Sequence, residues 1–111
     1  MSKDPLIARL AEVDRACADM QGRIDALRGA TSEIREAHAD GEPVSRIIVS
    51  GRGASARREL RRSWFELNRA LHAYRAEEVR SLIDEEGLTV AEAARRSGNA
   101  RQVISRLYHS A

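Results

Sequence analysis

Residues 47–60 read IIVSGRGASARREL, and two folds compete for this stretch. An apolar run leads into Gly51-x-Gly53-x-x-Ala56 and then a helix-prone segment, the outline of a dinucleotide-binding turn in an α/β protein. The same residues also open a run of arginines. Arg46, Arg52, Arg57, Arg58, Arg61 and Arg62 stand against Glu59 alone, +5 over seventeen residues. A dinucleotide fold needs a strand–helix–strand unit whose second strand ends in an acidic residue some way on. Downstream of Ala54 the chain carries helical patterns and no second strand pattern. The glycine spacing is therefore accidental as a nucleotide site, and what survives is its charge.

Composition points the same way. Among 111 residues the only aromatics are Trp64, Phe65, Tyr74 and Tyr108, while Ala, Leu, Arg and Glu dominate. That usage favours an all-α protein over a sandwich or barrel. A chain of this length makes one small domain, or a helical extension plus a compact module, and its modest core favours an oligomeric partner. Net charge is +2 but uneven: residues 1–42 carry six basic against nine acidic side chains, residues 43–111 thirteen against eight. Such a split suggests an acidic partner for the second half, most simply a nucleic acid. No apolar run reaches membrane-span length, the N-terminal residues have no signal-peptide layout, and Cys17 alone cannot form an internal disulfide. A cytoplasmic protein is expected.

The strongest periodicity lies in residues 5–39. Leu6, Leu10, Val13, Cys17, Met20, Ile24, Leu27, Thr31 and Ile34 alternate at spacings of four and three, a heptad pattern over more than four repeats. Asp4 is a suitable cap and Pro5 a suitable first helical residue. Gly22 and Gly29 fall on the outer face. The pattern fits an amphipathic helix packed on its own domain or a coiled coil between subunits. A seam this long favours the second, with Leu6, Leu10, Val13, Cys17, Met20, Ile24, Leu27 and Ile34 as the dimerisation residues. Charges flanking the seam leave strand orientation open. Cys17 reads as a small buried apolar side chain within it.

Asp40-Gly41-Glu42-Pro43 ends that helix. Val44 to Ser50 suits either a short strand or one or two helical turns. A second long helix follows from about Ser55, its cap, to about Glu86, with Leu60, Trp64, Leu67 and Leu71 at helical spacing. A phase shift near Tyr74–Ala76 suggests a bend, and Gly87 ends the helix. Glu77, Glu78, Asp84, Glu85 and Glu86 read as a solvated surface.

The last piece, LTVAEAARRSGNARQVISRLYHS (residues 88–110), is the most informative. Thr89 precedes Glu92 by three residues, a capping-box spacing that starts a helix at Val90. That helix runs to Ser97, Gly98 supplies a turn, and a second helix follows over about Ala100–Tyr108 with Val103, Ile104 and Leu107 facing inward. Two short helices crossing at small residues form a helix-turn-helix, here at 89–108.

Residues 75–108, including EEVRSLIDEEGLTVAEAARRSGNARQVISRLY, resemble the three-helix DNA-binding unit of bacterial regulators and resolvase-type recombinases, and region 4 of sigma factors. The resemblance rests on Ala94 at the helix crossing, Gly98 four residues later, and Ile104 and Leu107 in the core. Ser97 and Asn99 depart from it, standing where such motifs usually carry an apolar residue. It implies that Arg101, Gln102, Ser105 and Arg106 face the major groove. Arginine pairs with guanine O6 and N7 and glutamine with adenine N6 and N7, each contact contributing about 1–3 kcal/mol of discrimination. Thr89 and Arg95 are placed for backbone phosphate, and Arg57, Arg58, Arg61 and Arg62 for phosphate nearby or for neutralising the acidic N-terminal helix.

His38, His72 and His109 are not at metal-ligand spacing, and no nucleophile–base pair or Gly-Lys-Ser/Thr motif is present. No enzyme activity, metal or cofactor is expected. The organisation expected is an N-terminal dimerisation helix (1–42), a linker (43–54) and a basic helical DNA-binding domain (55–111). The expected function is that of a homodimeric, sequence-specific transcriptional regulator on double-stranded DNA in the nucleoid. The alternatives are a helical adaptor for another transcription protein and a sequence-neutral nucleoid protein.

Overall fold

Asp4 and Pro5 start the first helix as their chemistry dictates. In the computed structural model, which describes residues 4–110, the Asp4 carboxylate accepts the Leu6 N–H at 2.9 Å and helix α1 spans Pro5–Ala39. It stops at the Asp40–Pro43 turn, where the Gly41 N–H donates to the His38 carbonyl at 3.1 Å. The Glu42 N–H donates to the Ala37 carbonyl at 3.0 Å. This paired closure satisfies carbonyls that the last helical turn leaves open.

The protein is all-helical: no strand occurs among the described residues. Val44–Val49 forms a short helix, α2, which settles the choice left open for that segment. Helix α3 spans Arg52–Arg80, so it starts before Ser55, whose N–H already donates within the helix to the Gly51 carbonyl at 2.9 Å. Ser55 is therefore not its cap, and the stretch 43–54, expected as a linker, holds α2 and the first residues of α3. The helix does not break near Tyr74–Ala76 either. Its irregularity comes later, in a π-helical turn over Ser81–Glu85 that Gly87 terminates. The extra residue in that turn re-phases the chain and produces the shift in apolar pattern. Helices α4 (Val90–Ser97) and α5 (Arg101–His109) complete the chain, the latter starting one residue beyond the expected boundary.

The chain divides into two compact units, residues 15–67 and residues 1–14 with 68–111. In the first, the Ser63 hydroxyl donates to Asp19, Arg23 pairs with Glu59, and Arg52 pairs with Glu33. Partners descend along α3 as they ascend along α1, so the two helices form an antiparallel hairpin. Met20, Leu27 and Ile34 are half-buried there, together with Ala16, Ala30 and Ala37. Cys17 and Ile24 are exposed. The heptad seam is thus divided, and Cys17 is not the buried side chain expected. The hairpin uses one seam position plus the small alanines beside it, which let the helices approach.

In the second unit the core is Val79, Ala93, Ala94, Ile104 and Leu107, with Leu82, Ile83, Val90, Val103 and Tyr108 packed around it. Fully burying a side chain such as Ile104 contributes about 1.5–3 kcal/mol, so this small cluster holds α3, the π-helical turn, α4 and α5 together.

Candidate nucleic-acid interface

The site is built on α4 and α5. Thr89 and Glu92 make a reciprocal cap. The Glu92 N–H donates to the Thr89 hydroxyl at 3.1 Å, and the Thr89 N–H donates to the Glu92 carboxylate at 3.2 Å. That backbone hydrogen bond, reinforced by the hydroxyl of Thr89 and the charges of Arg95 and Arg96, holds the Glu92 carboxyl below its ordinary value. An anion already sits at the N-terminus of α4, so Thr89 is occupied as a cap and keeps only its hydroxyl hydrogen for another acceptor.

Ala93 and Ala94 are buried, and their lack of bulk brings α5 against α4. Gly98 turns the chain at φ 72°, and the Asn99 N–H donates back to the Ala94 carbonyl at 3.1 Å. A left-handed backbone there costs an L side chain energy that glycine does not incur. Ser97 and Asn99, the two departures from the usual apolar pattern, are satisfied locally. The Ser97 hydroxyl donates to the Ala93 carbonyl at 2.8 Å, and the Asn99 amide donates to the Ser97 oxygen Oγ at 3.1 Å. Arg75 in turn donates to the Asn99 side-chain carbonyl at 3.3 Å. A polar turn is stable here because each group finds a partner within a few residues.

With Ile104 and Leu107 buried and Val103 and Tyr108 half-buried, the opposite face of α5 is determined. Arg101, Gln102 and Arg106 are exposed and Ser105 is half-buried beside them. Helical spacing brings these four to one surface. Arg95 is exposed at the end of α4, and with Arg101 it borders a shallow depression over the turn. The far end of α5 is tied down by Tyr108, whose hydroxyl donates to Asp84 at 2.7 Å. The bond and the charge of that carboxylate raise the phenol above its ordinary value. Arg80 adds a contact to the Ser110 carbonyl.

Asp84 and Glu78 are therefore more than solvated charge, since Glu78 likewise accepts the Tyr74 hydroxyl at 2.6 Å. Neither tyrosine bond was legible from spacing, although Tyr74 and Glu78 stand four apart on one helix, the separation at which side chains meet.

The basic cluster belongs to the other unit. Arg57, Arg58, Arg61 and Arg62 are all exposed. Arg62 reaches Glu59 at 3.9 Å, and Arg52 reaches Glu33 at 3.3 Å. Such exposed pairs contribute about 0–1 kcal/mol. Arg57, Arg58 and Arg61 make no ion pair among the described residues. Of the residues expected to form a dimer seam, Leu6, Val13, Met20, Leu27 and Ile34 are half-buried within the chain itself, whereas Leu10, Cys17 and Ile24 are exposed. Trp64 and Phe65 are also exposed, at 52% and 64%, which their helical spacing with Leu60 and Leu67 did not foretell.

No helix among the described residues is long and apolar enough to cross a membrane. No protein-family model, curated protein or solved structure matches the chain.

Proposed function

We propose that the chain is a dimeric, sequence-specific DNA-binding regulator of transcription acting at the nucleoid, with α4, the Gly98 turn and α5 working as a helix-turn-helix. The observation that carries this reading is the division of α5. Its apolar side chains serve the core, while Arg101, Gln102, Ser105 and Arg106 are left together with nothing structural to do. A guanidinium and a carboxamide at adjacent positions suit the edges of guanine and adenine in a major groove. Arg95 serves the neighbouring phosphates, with the Thr89 hydroxyl a minor partner beside an already charged cap. Arg58, Arg61 and Arg62 add attraction that is blind to sequence. The exposed residues of α1 serve self-association, which doubles the base contacts on a two-part site.

Selection of bound duplexes from random DNA tests the proposal. A consensus should emerge, and Arg101→Ala with Arg106→Ala should lose it while circular dichroism stays unchanged. Undiminished binding of the double variant to the selected site would remove α5 as the reading helix. Equal binding of all duplexes would make the chain a sequence-neutral nucleoid protein.

A second reading, a helical adaptor for another transcription protein, draws on the exposed Trp64 and Phe65, since aromatic side chains are enriched at protein interfaces. A salt series of gel shifts separates the two. DNA binding that weakens steeply with salt supports the regulator, and no binding even at low salt supports the adaptor.

A further inference from the structure

The stretch IIVSGRGASARREL shapes a cleft. Within the unit of residues 15–67, Ile34 and His38 on α1, Ile47 and Ile48 on α2, and Gly53 and Arg57 on α3 line a space of about 330 Å³. Pockets that hold small molecules run from about 300 to 1,000 Å³ and are mostly apolar with a few placed polar groups. The walls here are aliphatic, and no aromatic side chain lines them.

Gly53 is what allows the cleft its polar end. A Cβ at this buried position would stand 3.0 Å from Nη1 of Arg57 and 3.1 Å from Cδ1 of Ile34. Without it, the guanidinium lies over bare backbone and Ile34 closes in from the α1 side. Arg57 has no carboxylate partner among the described residues, yet its planar fork is shaped for one. Ile48, 70% exposed, stands at the cleft with apolar surface that an occupant would cover.

We propose that this cleft binds a small amphipathic carboxylate, an aliphatic chain with a single anionic head. Arg57 takes the carboxylate in a two-pronged hydrogen bond, and Ile34, Ile47 and Ile48 surround the chain. A hydrophilic anion gains nothing from these walls, and an uncharged chain leaves the guanidinium unused. The inference does not depend on DNA binding.

Calorimetric titration of the full chain with decanoate, kept below micelle formation, tests it. Decanoate should saturate one site per chain, with decanol and acetate each at least about tenfold weaker, as expected when either a charged hydrogen bond or the apolar burial is missing. Arg57→Met should weaken decanoate by about tenfold or more without altering decanol, and Arg58→Met should change neither. Both side chains are exposed, so both variants should keep the parental circular dichroism. Methyl resonances of Ile34, Ile47 and Ile48 should shift on titration. Four results would each overturn the proposal: no saturation, an Arg57→Met protein that titrates like the parent, decanol binding as well as decanoate, or shifts confined to other residues. So would a dimer that Ile48→Glu converts to monomer and that takes up no decanoate, since a second copy would then cover the cleft.

Discussion

The Ser63 hydroxyl, 2% exposed, donates to the Asp19 carboxylate at 2.5 Å and joins α3 to α1 within the unit of residues 15–67. A small residue is needed where the two helices meet, and its hydroxyl needs an acceptor once water is excluded. Asp19→Ala takes the acceptor away and should cost about 1 kcal/mol, because a buried donor left unmade is expensive. Ser63→Ala removes donor and requirement together and should cost less. Ser63→Leu overfills the contact and should cost about 1–3 kcal/mol. Urea unfolding at a fixed protein concentration should rank them in that order. A Ser63→Leu protein as stable as the parent would mean that the helices are not in close contact there.

How much of this was legible can be judged from α1. The seven-residue repeat found the helix, its cap and the inward position of Met20, Leu27 and Ile34. It did not find which flank accompanies them. Cys17, Ile24 and Thr31 on one side are larger and more apolar than Ala16, Ala30 and Ala37 on the other, yet the hairpin takes the alanines, because close approach between helices rewards small side chains. Patterns of large apolar residues cannot register that. The π-helical turn hid for a related reason. An extra residue changes the phase of everything after it, so Val79, Leu82 and Ile83 reveal that a shift has occurred without locating it at Ser81–Glu85. Spacing found the capping box, the Gly98 turn and the outward residues of α5, since all are local. The cleft at Arg57 was out of reach because it depends on what a missing Cβ allows.

The cap of α4 makes stability depend on acid. Glu92 is held below its ordinary 4.5, chiefly by the Thr89 N–H, so its charged form is the one that folding favours. The contribution is complete above 4.5 and disappears as pH falls through the lower folded-state value. Glu92→Gln keeps a hydrogen-bond acceptor without the titration and should flatten that part of the acid-unfolding profile. Thr89→Ala should cost about 0.5–2 kcal/mol at neutral pH. Superimposable acid profiles for parent and Glu92→Gln would show that the cap does not contribute to this dependence.

Ile24 and Leu27 are neighbours in one heptad pattern with opposite surroundings. Ile24 is 41% exposed, whereas Leu27 is half-buried in the hairpin. If the exposed residues of α1 join two copies, Ile24→Glu should convert the dimer to a folded monomer in sedimentation, since a charge at an exposed position changes chain stability by only about 0.5 kcal/mol. Leu27→Glu should instead lower the urea midpoint sharply, because the charge would enter the hairpin. Sedimentation of Ile24→Glu as a dimer identical to the parent would take α1 out of the self-association surface.

Gly98 holds the α4–α5 turn at φ 72° with open space where a side chain would go. Any penalty for substitution there comes from backbone conformation alone. Gly98→Ala should therefore destabilise by about 1–2 kcal/mol, the cost of a left-handed residue bearing a Cβ. Gly98→Asn should cost less, because its short polar side chain tolerates that conformation. The core of Val79, Ala93, Ala94, Ile104 and Leu107 depends on the turn it spans, so the loss should appear in global unfolding and not only as local fraying. Equal stability of the alanine and asparagine variants would mean that the turn relaxes out of the left-handed region. In that case the placement of α5 on α4 would be set by Ala93 and Ala94 and not by the glycine.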